Sequence, residues 1–184
     1  MAHQQQKDFC KYVKELHPEY FYGRVGYKDS KPVFSSVLDI GSQDINGNNR
    51  YLFDQCDYIG IDLNDGANVD EIASGHNFKH EPFDIVISTE CLEHDKYWAL
   101  TLQNIANNLL KSGGLFIMTC ATEGRAEHGT TRTSPKDSPF TTDYYLNLTE
   151  EDFRQAIDIE KTFSTFAFIT NENPNDLYFW AIKK

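Results

Sequence analysis

No run in this chain approaches the roughly 18 apolar residues that a membrane-spanning helix requires, and the opening MAHQQQKDF lacks the apolar core of a secretory signal. A soluble, cytoplasmic protein is the expectation, with no membrane partner. Cysteine is scarce and scattered: Cys10, Cys56, Cys91 and Cys120 form no C-x-x-C pair and no disulfide-like cluster, which fits a reducing compartment. The Asn147-Leu148-Thr149 sequon then carries no meaning, because glycosylation needs secretion. Positive charge is short as well, with 17 Lys and Arg against 28 Asp and Glu, a net charge of -11 and no basic stretch. That balance argues against nucleic acid as a partner, since phosphate contacts come from clustered cations. Repeats and low-complexity tracts are also missing, so the 184 residues read as one domain, a monomer or homodimer.

What is present is a rhythm of short apolar runs. VLDIG, YIGIDL, FDIVIS and GLFIMTC begin at residue 36, and each is apolar on both faces, as parallel strands between helices are. Between the last two, Trp98, Leu102, Ile105, Ala106 and Leu109 form one helical stripe, with Gly113 expected to stop the helix. Ahead of the rhythm, Phe9, Tyr12, Val13 and Leu16 mark an amphipathic helix ended by Pro18, so residues 1–35 read as a helical cap and 36–120 as a core. Residues 121–148 have no periodicity and read as a long loop expected to form the substrate wall. In 149–184, Thr149 with Asp152 resembles a capping box and Leu148 with Phe153 a hydrophobic staple, followed by two strands around the polar turn NENPND. The expected fold is α/β, a Rossmann-like three-layer αβα sandwich whose seven-stranded, mostly parallel sheet ends in an antiparallel hairpin strand.

The ends of the first two strands carry the chemistry. Asp39 closes VLDIG and Gly41 opens a turn that lets a ligand approach the backbone, while Asp62 closes the next strand, where a carboxylate can accept both hydroxyls of a ribose. Dinucleotide enzymes add G-x-G-x-x-G with a helix N-terminus under the pyrophosphate, but here Gln43 and Asp44 stand where further glycines would be. Acids at the turn repel phosphate and suit a cationic, phosphate-free nucleoside bearing an amino acid, such as S-adenosylmethionine. SQDING is then expected to fold as a longer turn that uses Gly47.

VLDIGS, YIGIDL, FDIVISTECLEH and NLLKSGGLFIMT, in this order and spacing, resemble the motifs of class I S-adenosylmethionine-dependent methyltransferases, most closely the small type 11 enzymes. The resemblance covers about Val37 to Cys120. It implies that Asp39, Gly41 and Ser42 hold the methionine end of the cofactor, Asp62 and Leu63 the ribose, and Ser74, Gly75 and His76 the adenine, with Thr89 and Glu90 completing the set. Ser74 stands where that family often has Asp.

The same resemblance bears on STECLEHD, where acids follow a core strand at a high desolvation cost. Glu90, Glu93 and His94 form E-x-x-E-H, expected on one helical face, and related families hold a divalent metal with a similar motif plus a later histidine, here His128. Mg²⁺ or Mn²⁺ would suit such ligands. In many type 11 enzymes the similar LEH binds no metal, and His94 or His128 is then the candidate catalytic base. Asp95 is read as solvent-facing. Arg125, Arg132, Tyr144 and Tyr145 in the long loop are candidate substrate contacts. The function so implied is methyl transfer to a small-molecule acceptor, foremost the hydroxyl of a sugar, glycan or phenol. RNA 2'-O-methylation and a non-catalytic S-adenosylmethionine-binding domain are the alternatives.

Overall fold

The structure, a computed structural model, describes residues 3–22, 24–28, 31–141 and 143–184. Its centre is a seven-stranded sheet of order β5-β4-β3-β6-β7-β9-β8. The strands are β3 (Ser36–Ile40), β4 (Asp57–Asp62), the two-residue β5 (Glu71–Ile72), β6 (Phe83–Thr89), β7 (Leu110–Ala121), β8 (Phe163–Asn171) and β9 (Asp176–Lys183). β5, β4, β3, β6 and β7 pair in parallel, and β9 runs antiparallel between β7 and β8. This is the Rossmann-like sandwich with the closing antiparallel hairpin expected from the sequence.

Alternation along the strands sorts the apolar side chains into two cores. Val37, Ile85, Ile87, Leu115 and Ile117 face α1 (Gln4–Leu16), which buries Phe9, Cys10 and Val13 against them. Leu38, Val86, Phe116, Met118 and Phe179 face the other way, toward α2 (Trp98–Asn104), α3 (Glu150–Ala156) and α4 (Ile159–Thr162). The first layer is thin: between β3 and β4 the described chain forms only a 3-10 turn, Arg50–Phe53, which supplies Leu52 and Phe53.

Three local expectations change. The N-terminal cap is not all helix, because after α1 and the turn Pro18–Tyr20 the strands β1 (Arg24–Lys28) and β2 (Lys31–Phe34) form an antiparallel ladder. Val25, Tyr27, Val33 and Phe34 favour extended backbone, which the helix-centred reading passed over. The helix before β7 widens to π-type hydrogen bonding over Ile105–Leu109 and passes straight into strand at Leu110. Gly113, expected to stop that helix, instead takes φ +75° in a bulge where β7 slips its register against β6. Finally, LEH of STECLEHD forms only a 3-10 turn, Leu92–His94, and the α-helix waits until Trp98.

α3 starts as its sequence dictates, with the Thr149 hydroxyl and the Asp152 carboxylate capping each other's backbone N–H. Leu148 and Phe153, the staple pair, are both fully buried in one core. Phe179 anchors that core, packed against the rings of Phe116, Phe153, Phe163 and Phe168. Truncating it leaves a cavity under the whole α3 layer, whereas losing the cap frees one backbone N–H. Phe179→Ala is therefore expected to lower the unfolding free energy by about 3–5 kcal/mol and Thr149→Ala by about 1 kcal/mol, as read by urea denaturation.

Candidate active site

Parallel pairing sets Leu38 beside Ile59 and Val86, so β3, β4 and β6 end level at one edge of the sheet, and a cleft of about 280 Å³ opens there. The turn after β3 forms its floor. Gly41 has φ +80°, and a Cβ on it would lie 2.3 Å from Cys91 Sγ, so glycine is required by both conformation and space. The N–H groups of Gly41 and Ser42 both donate to the Ile61 carbonyl, at 3.0 and 3.1 Å. Farther round the turn, the Gly47 N–H donates to Asp44 Oδ1 at 2.6 Å, which closes the longer loop expected of SQDING. Asp62 receives the N–H groups of Gln43 and Leu63, one on each oxygen, and burial nevertheless raises its pKa.

Asp39 is buried beneath the cleft and accepts a hydrogen bond from the Tyr58 hydroxyl. Burial pushes its carboxyl up to about 7, with the Tyr58 bond opposing. At the far end, Ser74, Gly75 and His76 line the cleft, and the His76 ring lies 4.4 Å from that of Tyr97. Thus the turn, Asp62 with Leu63, the Ser74–His76 segment, and Thr89 with Glu90 are brought to one cavity.

Beyond β6 the acids separate. Glu90 adopts φ +53° and accepts from Thr119 Oγ1 at 3.0 Å, and its second oxygen lies 3.6 Å from His3 Nε2. Burial, the largest single influence, raises its pKa, but the His3 contact, nearby positive charge and the Thr119 hydroxyl together outweigh it and hold the carboxyl down at about 2. Glu90 therefore joins His3 and Asp176 rather than the trio of Glu93, His94 and His128, whose potential ligand atoms lie within 4.8 Å of one another. The trio is under-satisfied. Glu93 is buried, and neither of its carboxylate oxygens has a hydrogen-bond partner among the described residues, nor does His128 Nε2. The His94 ring nitrogens have no well-formed hydrogen bond, although the Tyr144 backbone lies near. Burial, reinforced by the Glu90 charge, pushes Glu93 up to about 8, and burial pushes His94 down to about 3 and lowers His128. The rings of His94 and His128 stand edge to face at 4.9 Å, and the Tyr145 ring completes the cluster at 5.5 and 5.0 Å. Gly129 makes this contact possible, since a Cβ there would meet His94 Cε1 at 2.7 Å.

The other loop candidates lie elsewhere. Arg125 is paired with buried Asp176 at 2.7 Å, Arg132 with exposed Glu127 at 2.6 Å, and Tyr144 is half-buried away from the cleft lining. Asp95, expected in solvent, instead caps α2 through the Tyr97 N–H at 2.7 Å and the Thr101 hydroxyl at 2.5 Å. The outer wall of the cleft is built by residues that sequence reasoning passed over: Asp137 to Thr141, Lys96 and Tyr97, and Asn49, whose amide reaches Thr89 Oγ1 at 3.2 Å. The length of the aperiodic loop signalled a wall, but not these residues within it.

The family described as "Methyltransferase domain" matches residues 1–155. This chain belongs to that family. It is a class I S-adenosylmethionine-dependent methyltransferase, and its strand order and cleft are those of the fold. The fold is shared with 1,6-didemethyltoxoflavin N1-methyltransferase of Burkholderia thailandensis bound to S-adenosylhomocysteine (TM-score 0.62, 15% identity, 97% of this chain and 78% of that one). Magnesium protoporphyrin IX methyltransferase of Synechocystis PCC 6803 is similar (0.61, 13%, 99% and 84%), as is the N-terminal domain of EvdMO1 solved with S-adenosylhomocysteine and D-fucose (0.60, 13%, 100% and 84%). Among curated proteins none matches the chain by sequence. No helix among the described residues is long and apolar enough to cross a membrane.

The elevated pKa of Asp39 gives this methyltransferase a pH signature. A cation bound beside Asp39 favours the ionised carboxylate, so such binding at pH values below about 7 releases a proton and tightens as pH rises toward that value, levelling off above it. Calorimetry of S-adenosylmethionine binding in buffers of different ionisation enthalpy is expected to show this release, and Asp39→Asn is expected to remove it.

Proposed function

We propose that this methyltransferase acts on a small acceptor through a hydroxyl group, foremost that of a sugar, glycan or phenol, and that Glu93, His94 and His128 manage the acceptor oxygen. The observation that carries this reading is the buried Glu93, without a hydrogen-bond partner among the described residues and grouped with two imidazoles, of which His94 lines the cleft. A carboxylate in that position must take up either a proton or a cation. Charge on the cleft argues against an anionic acceptor: Asp39, Asp62, Glu90, Asp95 and Asp137 line it, against the single ammonium of Lys96. The likeness to a domain solved with D-fucose is compatible with a sugar.

Transfer proceeds by in-line attack of the acceptor oxygen on the sulfonium methyl. The carbon–oxygen bond forms as the carbon–sulfur bond breaks, the electron pair goes to sulfur, and S-adenosylhomocysteine leaves. The chain's task is alignment, with the cofactor held between Asp39 and His76 and the acceptor oxygen held near His94. The hydroxyl proton leaves to an imidazole, and His128, the more exposed of the two, is the base in a metal-free site. The donor set of one carboxylate and two imidazoles also fits a divalent ion such as Mn²⁺ or Mg²⁺, which when bound lowers the pKa of an alcohol oxygen. Glu93, His94 and His128 would hold it.

Calorimetric titration of metal-stripped protein with Mn²⁺, with and without S-adenosylmethionine, tests the cradle. A binding heat that Glu93→Ala abolishes while cofactor affinity stays within about twofold is the expected result. Cofactor binding with no Mn²⁺ heat would discard the cation and leave the imidazole base. Transfer confined to amines in a panel of diols, catechols and amines would refute the oxygen acceptor.

A further inference from the structure

Asp176 opens β9 as a fully buried carboxylate at the cleft edge of the sheet, yet it is not part of the cleft lining. β9 runs antiparallel, so its first residue lies opposite Ala121, the last of β7. A carboxylate buried this deeply is tolerated only when its oxygens are matched by donors, and both are. Oδ1 accepts from an Arg125 guanidinium N–H at 2.7 Å, and Oδ2 lies 2.7 Å from His3 Nε2.

Each partner leads to a residue of the site. Arg125 begins the stretch that carries His128, and its backbone is fixed on both sides, its N–H donating to the Thr122 carbonyl at 3.0 Å and its own carbonyl accepting from Asn147 at 2.9 Å. The next carbonyl, that of Ala126, meets both His128 Nδ1 and the Tyr145 hydroxyl at 3.2 Å. His128 then packs on His94. On the other arm, His3 caps α1 by accepting from the Gln6 N–H, and its Nε2 faces Glu90 at 3.6 Å.

We infer that Asp176 is the positioning residue of the acceptor end of this site: through Arg125 it sets His128 against Glu93 and His94, and through His3 it orients Glu90. It lies outside the cleft lining and the trio and acts through these two side chains. A single carboxylate thus fastens the long loop and the N-terminal helix to the end of the sheet. Without that charge the Arg125 guanidinium keeps only the Pro174 carbonyl at 3.3 Å, and its side chain, already 16% exposed, shifts toward water and loosens the Ala126–His128 segment between its backbone anchors.

The test compares Asp176→Asn, Arg125→Met and Arg125→Lys in the full chain by three readouts: the nuclear Overhauser contact between the His94 and His128 rings in metal-free protein, Mn²⁺ affinity, and S-adenosylhomocysteine affinity. Asp176→Asn and Arg125→Met are expected to lose the ring contact and to weaken Mn²⁺ about tenfold or more, with S-adenosylhomocysteine affinity kept within about twofold. Arg125→Lys, which restores the charge, is expected to recover most of both losses, a rescue that a purely structural role would not give. A wild-type ring contact in both Asp176→Asn and Arg125→Met would overturn the inference. The Mn²⁺ readout rests on the cation reading proposed above, but the ring contact does not, so a wild-type protein that binds no Mn²⁺ refutes that reading alone. If Asp176→Asn fails to fold, the Arg125 pair decides.

Discussion

Parallel pairing of β3 with β4 on one side and β6 on the other is the constraint on which the molecule depends. It brings the ends of three strands level, so residues far apart in sequence, Asp39, Asp62 and Thr89, meet at one cavity. Such pairing needs both faces of the sheet covered, and the two apolar clusters supply that cover. The covered faces leave the carboxyl edge as the place where backbone turns must open to a ligand.

At that edge the chain collects buried charge and treats it in two ways. Asp176 and Glu90 are matched by Arg125 and His3. Glu93 is not matched among the described residues, and its carboxyl is accordingly pushed up, most of all by burial. The contrast between neighbouring carboxylates, one held low and the other raised, separates an anchored acid from an uncompensated one within a single stretch of chain.

Much of this was legible in the sequence because it follows from local periodicity. The four apolar runs, the Gly41 turn, the capping box at Thr149 and the closing hairpin are each encoded by neighbouring residues. Legibility failed where tertiary contact decides. The Arg125 guanidinium looked like a substrate contact because sequence cannot show that Asp176, on a different strand, lies 2.7 Å away. Asp95 looked solvated because its role depends on where α2 begins. Gly113 looked like a helix stop because a bulge in β7 has the same glycine requirement. The long loop could be read as a wall, but not which of its residues, Asp137–Thr141, would line the cleft, because the stretch has no period.

The cleft is divided along the chain as well as in space. Most of the lining comes from residues 39–97, while one outer wall is drawn from the long loop, which reaches the sheet through a few fastenings such as Arg125 on Asp176 and the Leu146 N–H on the Glu93 carbonyl. Replacement of residues in the wall between those fastenings leaves the strand-end turns of the cleft untouched. One scaffold can therefore change its clientele by drift in a single loop, and relatives alike in fold at 13–15% identity can serve acceptors as different as a porphyrin and a toxoflavin precursor.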